Sequence, residues 1–199
     1  MSNEISNFGD HAVATLQTNP KVPEGMGIEG WFHVVCHDKN GNFKWETKSP
    51  NLVVAVGKQL MLDTLMKGAS YSVTGPYLGL TNASLTPAAT DTMSSLSGKE
   101  FTAYTVSGSA VRGTASFASA TSTGATPSNV TSSTATAITY TITGGGGTVY
   151  GCFLVLGTGA VNTQNSTAGT LYSESNFGVS KATTAGDTVS VTYSTTATS

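Results

Sequence analysis

From Tyr71 onward the chain is a run of short segments broken by turn residues, and this pattern restricts the fold more than any other feature of the sequence. Residues 101–106, 110–118, 131–142, 148–156, 170–173, 177–179 and 188–195 each read as strands. Threonine and valine recur in them, as suits a pleated, half-buried surface. Val189, Val191 and Tyr193 fall on one face of the last segment, at the two-residue period of a strand with one side in a core. Residues 73–80 contain Gly75-Pro76 and predict a bent or edge strand. Residues 85–97 and 120–129 read as polar loops, and Gly144 to Gly147 as a turn. Many short strands at this spacing predict a mainly β protein, a β-sandwich or jelly-roll-like fold whose strand order the sequence leaves open.

The first third of the chain adds three elements. Residues 30–37 are aromatic and β-branched, and residues 42–46 alternate. Asp38-Lys39-Asn40-Gly41 lies between them, and its Asn-Gly pair suits the positive φ values of a tight hairpin turn. Phe43 and Trp45 then share one face of the second strand, with Lys44 and Glu46 on the other. One α-helix is expected near residues 52–67, with Asn51 as N-cap and Gly68 as the stop. Val53, Val56, Leu60, Met61 and Leu65 form its apolar stripe, for packing on the sheet. Residues 1–27 read as an extended N-terminal arm, either unstructured or ordering on a neighbouring subunit, and residues 28–199 as one domain.

Charge narrows the function. Only 10% of the 199 residues are charged, against about 25% in an average soluble protein. From Phe101 onward the charged side chains are Arg112, Glu174, Lys181 and Asp187. A net charge of −2 gives no strong attraction to nucleic acid or an anionic membrane, and neither is expected as a partner. Such a surface repels its neighbours weakly, which suits dense packing on a lattice. The first twenty residues lack a basic region followed by an apolar core, so no signal peptide is expected, and no apolar run reaches the length of a membrane span. Cys36 and Cys152 each sit in a hydrophobic stretch and read as small buried hydrophobes, reduced in a protein made in the cytoplasm.

No residue set points to catalysis. His33 and His37 share one side of a strand near Asp38, but no motif supplies a third ligand, and no metal is expected. Neither a Gly-x-Ser-x-Gly elbow nor a Ser-x-x-Lys pair with a supporting base occurs. Asp91, Glu100, Glu174 and Asp187 each lie beside a turn, where Asp187 is expected to accept backbone N–H bonds. The tetraglycine lacks the Gly-Lys-Ser/Thr ending of a phosphate loop, so no cofactor is expected. Trp31, Phe43 and Trp45 are the candidate partner contacts, because aromatic side chains dominate interface energetics; the other reading has them cover the helix inside the domain.

A set of short motifs runs in a familiar order: His37-Asp38-Lys39-Asn40-Gly41-Asn42-Phe43-Lys44-Trp45-Glu46, Asn51-Leu52-Val53-Val54, Tyr77-Leu78-Gly79-Leu80, Asp91-Thr92-Met93, Phe101-Thr102-Ala103-Tyr104, Gly169-Thr170-Leu171-Tyr172 and Gly186-Asp187-Thr188-Val189. In this order the chain resembles small virion structural proteins of tailed bacteriophages, including capsid decoration or cement-like proteins. It departs from them at Gly98-Lys99-Glu100, where they carry a tryptophan-containing turn, and at Val111-Arg112-Gly113, where they carry Asn-Arg-Pro. The resemblance implies a β-sandwich particle component with no enzymatic activity, made in the host cytoplasm and carried on the capsid surface. Its partners would be the major capsid protein and neighbouring copies of itself. The rival expectations are a tail- or fibre-associated protein and a glycan-binding adhesive module.

Overall fold

The alternating segments assemble into two antiparallel sheets and one α-helix, seen in a computed structural model that describes residues 27–67, 74–122 and 130–198. The first sheet is built on β1 (Gly27–His37), flanked by β2 (Phe43–Pro50) and β12 (Thr188–Thr198). One half of β12 pairs with β8 (Val130–Ser133), which pairs in turn with β7 (Thr121–Ser122); the other half pairs with β9 (Ile138–Ile142), beside β5 (Tyr104–Thr105). The second sheet has the order β3 (Leu52–Val53), β11 (Thr170–Thr183), β10 (Gly147–Leu156), β4 (Tyr77–Thr81) and β6 (Gly113–Thr114). The protein is thus mainly β, with α1 (Ala55–Met66) as its α-helix.

Two cores follow from two buried faces. Phe32, Val34, Val189, Val191, Tyr193 and Tyr140 from the first sheet meet Leu78, Leu80, Cys152 and Leu154 from the second. The far face of the second sheet is covered as well, where Phe153, Val155 and Leu171 pack against Val54, Leu85, Met93 and Leu96. Strand β10 is therefore buried on both sides, which is why residues 152–156 form an unbroken apolar run rather than an alternation. Each fully buried side chain of this kind contributes roughly 1.5–3 kcal/mol relative to exposure. Cys36 and Cys152 are free, buried thiols in the first core.

Several elements differ from their sequence pattern, each because a tertiary partner outweighs local preference. The helix begins at Ala55, not near residue 52, because Leu52 and Val53 pair with Glu174 and Ser173 of β11. Asn51 does not cap it; its Nδ2–H donates to the Tyr193 hydroxyl at 2.7 Å. Helix and sheet approach closely at Gly57, where a Cβ atom would lie 2.4 Å from the Tyr172 carbonyl oxygen. Within α1 only Gly57 and Leu60 are buried, so the predicted stripe is cut short and Leu65 is 69% exposed. Residues 85–97, read as a polar loop, instead carry Leu85, Met93 and Leu96 into the second core, the last two on a short 3-10 turn at Met93–Leu96. The segment 131–142 divides at Thr134, whose N–H donates to the Tyr193 carbonyl at 2.9 Å while its Oγ1 accepts the Tyr193 N–H at 3.2 Å. The strand expected over residues 73–80 is β4, which lies inside the sheet between β10 and β6 and not at its edge. The expected arm and Gly68 lie outside the described residues, although β1 already begins at Gly27.

Candidate contact surface

The hairpin turn decides where the candidate aromatics point. Of the Asn40-Gly41 pair only Gly41 takes a positive φ, 84°. Asp38 organises the turn instead: its Oδ1 accepts the N–H groups of Asn40 and Asn42, each at 2.8 Å, and its Oδ2 accepts Asn42 Nδ2–H at 2.9 Å. These bonds, the Asn42 side chain foremost, hold the Asp38 carboxyl below the usual carboxylate range. This longer turn is followed by a register shift, so that Cys36 stands opposite Trp45 but His37 opposite Phe43. Directly opposed residues share a face. Trp45 therefore points with buried Cys36 toward the core, and Phe43 points with His37 to the outside.

The structure thus separates the three aromatics. Trp45 is half-buried against the first core; its indole N–H donates to the Ala182 carbonyl at 2.9 Å, and Lys181 Nζ lies 5.9 Å from its ring centre. It ties the edge of the first sheet to β11, as does Ser49, whose hydroxyl donates to the Asn176 carbonyl at 2.8 Å. None of the three covers the helix, which packs on β11. Trp31 and Phe43 remain on the outer face, 40% and 62% exposed, toward opposite ends of the hairpin.

The register describes the rest of that face. Trp31 lies between Pro50 and Ser194, His33 between Lys48 and Thr192, and Val35 between Glu46 and Ser190. Thr139 continues the last row beyond Ser190, its Oγ1 3.3 Å from the serine Oγ. Farther along, Thr131 Oγ1 lies 2.8 Å from Thr196 Oγ1. The surface is therefore a field of small hydroxyls with an aromatic and charged margin on β1 and β2. In that margin Lys48 Nζ sits 5.1 Å from the Trp31 ring centre, and His33 Nε2 lies 2.5 Å from Glu46 Oε1. Exposed pairs of this kind contribute at most about 1 kcal/mol each, so the margin supplies orientation more than stability.

The scattered charges of the β-rich body are mostly internal. Glu100 and Arg112, both buried, form a two-point ion pair, Nε to Oε1 at 3.0 Å and Nη2 to Oε2 at 2.7 Å. Arg112 also donates to the carbonyls of Ser166 and Val161, at 2.6 and 3.3 Å, and its guanidinium carbon lies 5.1 Å from the Phe153 ring centre. Asp187 accepts the Thr184 N–H at 2.8 Å, as expected, and also meets Lys44 Nζ at 2.5 Å. Burial opposes its ionisation, but Lys44 and Thr184 outweigh burial and hold its pKa low. Asp91 and Glu174 line one small cavity, a juxtaposition their positions in the sequence do not show. Among the described residues no group of three or more His, Cys, Asp or Glu is placed to hold a metal ion. His33 and His37 share the outer face, while Asp38 is occupied by its turn.

Fold and surface together define, in the described residues, a two-sheet antiparallel β protein with one α-helix and a hydroxyl-rich outer face. No protein-family model, curated protein or solved structure matches the chain. Among the described residues, no helix is long and apolar enough to cross a membrane.

Proposed function

We propose that this chain is a non-catalytic structural protein of a tailed-phage virion, one that coats or cements the capsid shell by bridging neighbouring coat subunits. The observation that carries the reading is the outer face of the first sheet, where Trp31 and Phe43 stand exposed at the margin of a nearly uncharged hydroxyl field. Aromatic side chains on a rigid sheet give contact area at low entropic cost, and the hydroxyls accommodate a polar partner without charge repulsion. The motif order in the sequence supplies the virion context. Binding the assembled shell more tightly than free coat protein would stabilise the shell by mass action, and many weak contacts on a repeating lattice would add by avidity.

The test is the copy number of this chain per purified virion, measured by mass spectrometry against the major capsid protein. A number comparable with the coat protein supports lattice-wide coating. A few copies would move the protein to the tail or one vertex, and absence would sink the virion reading. Exposed Trp31 also favours a second reading, a glycan-binding module in which the ring stacks on a sugar; binding inhibited by a free monosaccharide would identify it.

A further inference from the structure

Glu174 is buried as deeply as Asp187 but, unlike it, takes part in no ion pair among the described residues. It lies on β11 between Leu52 of β3 and Phe153 of β10, and the residue is 1% exposed. No N–H or O–H group among the described residues donates to its Oε1. Asp91, from the loop of residues 82–99, lines the same cavity as Glu174, of about 110 Å³, together with Ser84, Thr86, Ser95 and Lys99. Asp91 is already an acceptor, taking the Ala88 N–H on Oδ2 at 2.8 Å. Two carboxyl groups that share one small cavity, one of them almost wholly buried, disfavour each other as anions, so the arrangement favours one proton held between them.

We propose that the Asp91–Glu174 pair is a proton-held latch that keeps the loop of residues 82–99 closed over the second sheet, and that loss of the shared proton releases it. The loop is what the latch would free: Leu85, Met93 and Leu96 descend from it onto Phe153, Val155 and Leu171. Besides these three side chains the loop is fastened by hydrogen bonds such as Ala55 N–H to the Ala89 carbonyl at 2.8 Å and Asn176 Nδ2–H to the Leu85 carbonyl. Asp91 and Lys99 are the charged groups that face Glu174, and Lys99, on the exposed rim, favours its ionisation only weakly. Burial, and then Asp91, push the Glu174 pKa up to about 8, whereas the bond from Glu174 holds Asp91 low. The proton therefore belongs to Glu174. Its folded pKa lies above the ordinary value of 4.5, so the closing contribution is complete below about pH 4.5 and fades as pH rises through 8. Linkage then gives a fall of about tenfold in the closing constant between pH 7 and pH 9, levelling off above that. This holds whether or not the chain is a virion protein.

The experiment is hydrogen exchange of the full chain at pH 6, 7 and 9, with protection factors corrected for intrinsic exchange. Amides of residues 85–97 should lose about tenfold protection from pH 7 to 9, with those of residues 188–193 unchanged, and the effect should vanish in Glu174→Gln. Asp91→Asn, whose amide can bond the Glu174 carboxylate but leaves its burial in place, should show a smaller fall over the same range and serves if the glutamine variant does not fold. A flat wild-type profile, or the same loss in both variants, would overturn the latch. Full restoration of protection at pH 9 by millimolar calcium would instead make the cavity a cation site and overturn the proton as the bridge.

Discussion

Replacing Arg112 with methionine tests the buried charge network most directly. Methionine approximates the length of the arginine stem but leaves the Glu100 carboxylate in the interior with only the Asn165 N–H, at 2.7 Å, and the Tyr104 hydroxyl, at 3.4 Å. The carbonyls of Ser166 and Val161 lose their donor as well. Removing one partner of a buried ion pair costs about 3–5 kcal/mol, because the remaining charge stays desolvated. Total stability is typically about 5–15 kcal/mol, so the loss would be a large fraction of it. At roughly 2–4 °C per kcal/mol for a chain of this size, Tm should fall by about 6–20 °C. Urea unfolding followed by circular dichroism at pH 7 measures the free energy, and the m-value shows whether unfolding stays two-state. The double variant Glu100→Leu/Arg112→Met should be more stable than Arg112→Met alone by at least about 1 kcal/mol, since no unpaired charge remains. A single variant that loses less than about 1 kcal/mol, or a double variant worse than the single, would refute the reasoning.

Other consequences are simpler to test. Gly79 stands opposite Phe153, and an added Cβ would lie 2.3 Å from that ring, so Gly79→Ala should cost about 1–3 kcal/mol in urea unfolding. Gly57→Ala would ordinarily favour a helix by up to about 1 kcal/mol, but contact with the Tyr172 carbonyl should reverse the sign, which the same assay reads. Trp31→Ala should leave Tm nearly unchanged and, on the proposed capsid role, weaken shell binding, whereas Trp45→Phe, which removes the bond to Ala182, should cost about 1 kcal/mol of stability. Cys36 and Cys152 should resist thiol reagents at pH 8 until the chain unfolds. Burial, and then Asp187, push the Cys36 pKa to about 11, and burial raises Cys152 as well.

The period-two alternation made the sheets legible, because residues such as Val189, Val191 and Tyr193 record which face meets the core. What the alternation could not encode was competition between elements. Leu52 and Val53 read as helix until β11 offers them backbone partners. Phe43 and Trp45, two apart, read as sharing one face, and a single bulge puts them on opposite faces. The strands expected over residues 101–106 and 110–118 shrink to two residues each because their backbones bond elsewhere, Phe101 to Leu80 and Ala115 to Pro76. The charges carry one further signal. Arg112 is the sole cation between Lys99 and Lys181, and a solitary charge in so uncharged a stretch asks for an internal partner.

Strand β1 pairs with β12 along its whole length, from Gly27 opposite Thr198 to His37 opposite Thr188. On the ribosome this makes the first sheet a late event. The β1–β2 hairpin emerges early with Phe32, Val34 and Cys36 on its inner face, yet the strand that covers its other edge is made some 140 residues later, an interval of about 7–30 s at ordinary elongation rates. Until then β1 is an open, apolar edge of the sort that pairs with other chains. Yield of soluble protein should therefore depend on how quickly residues 188–198 follow, and a nascent chain stalled before them should be the aggregating species.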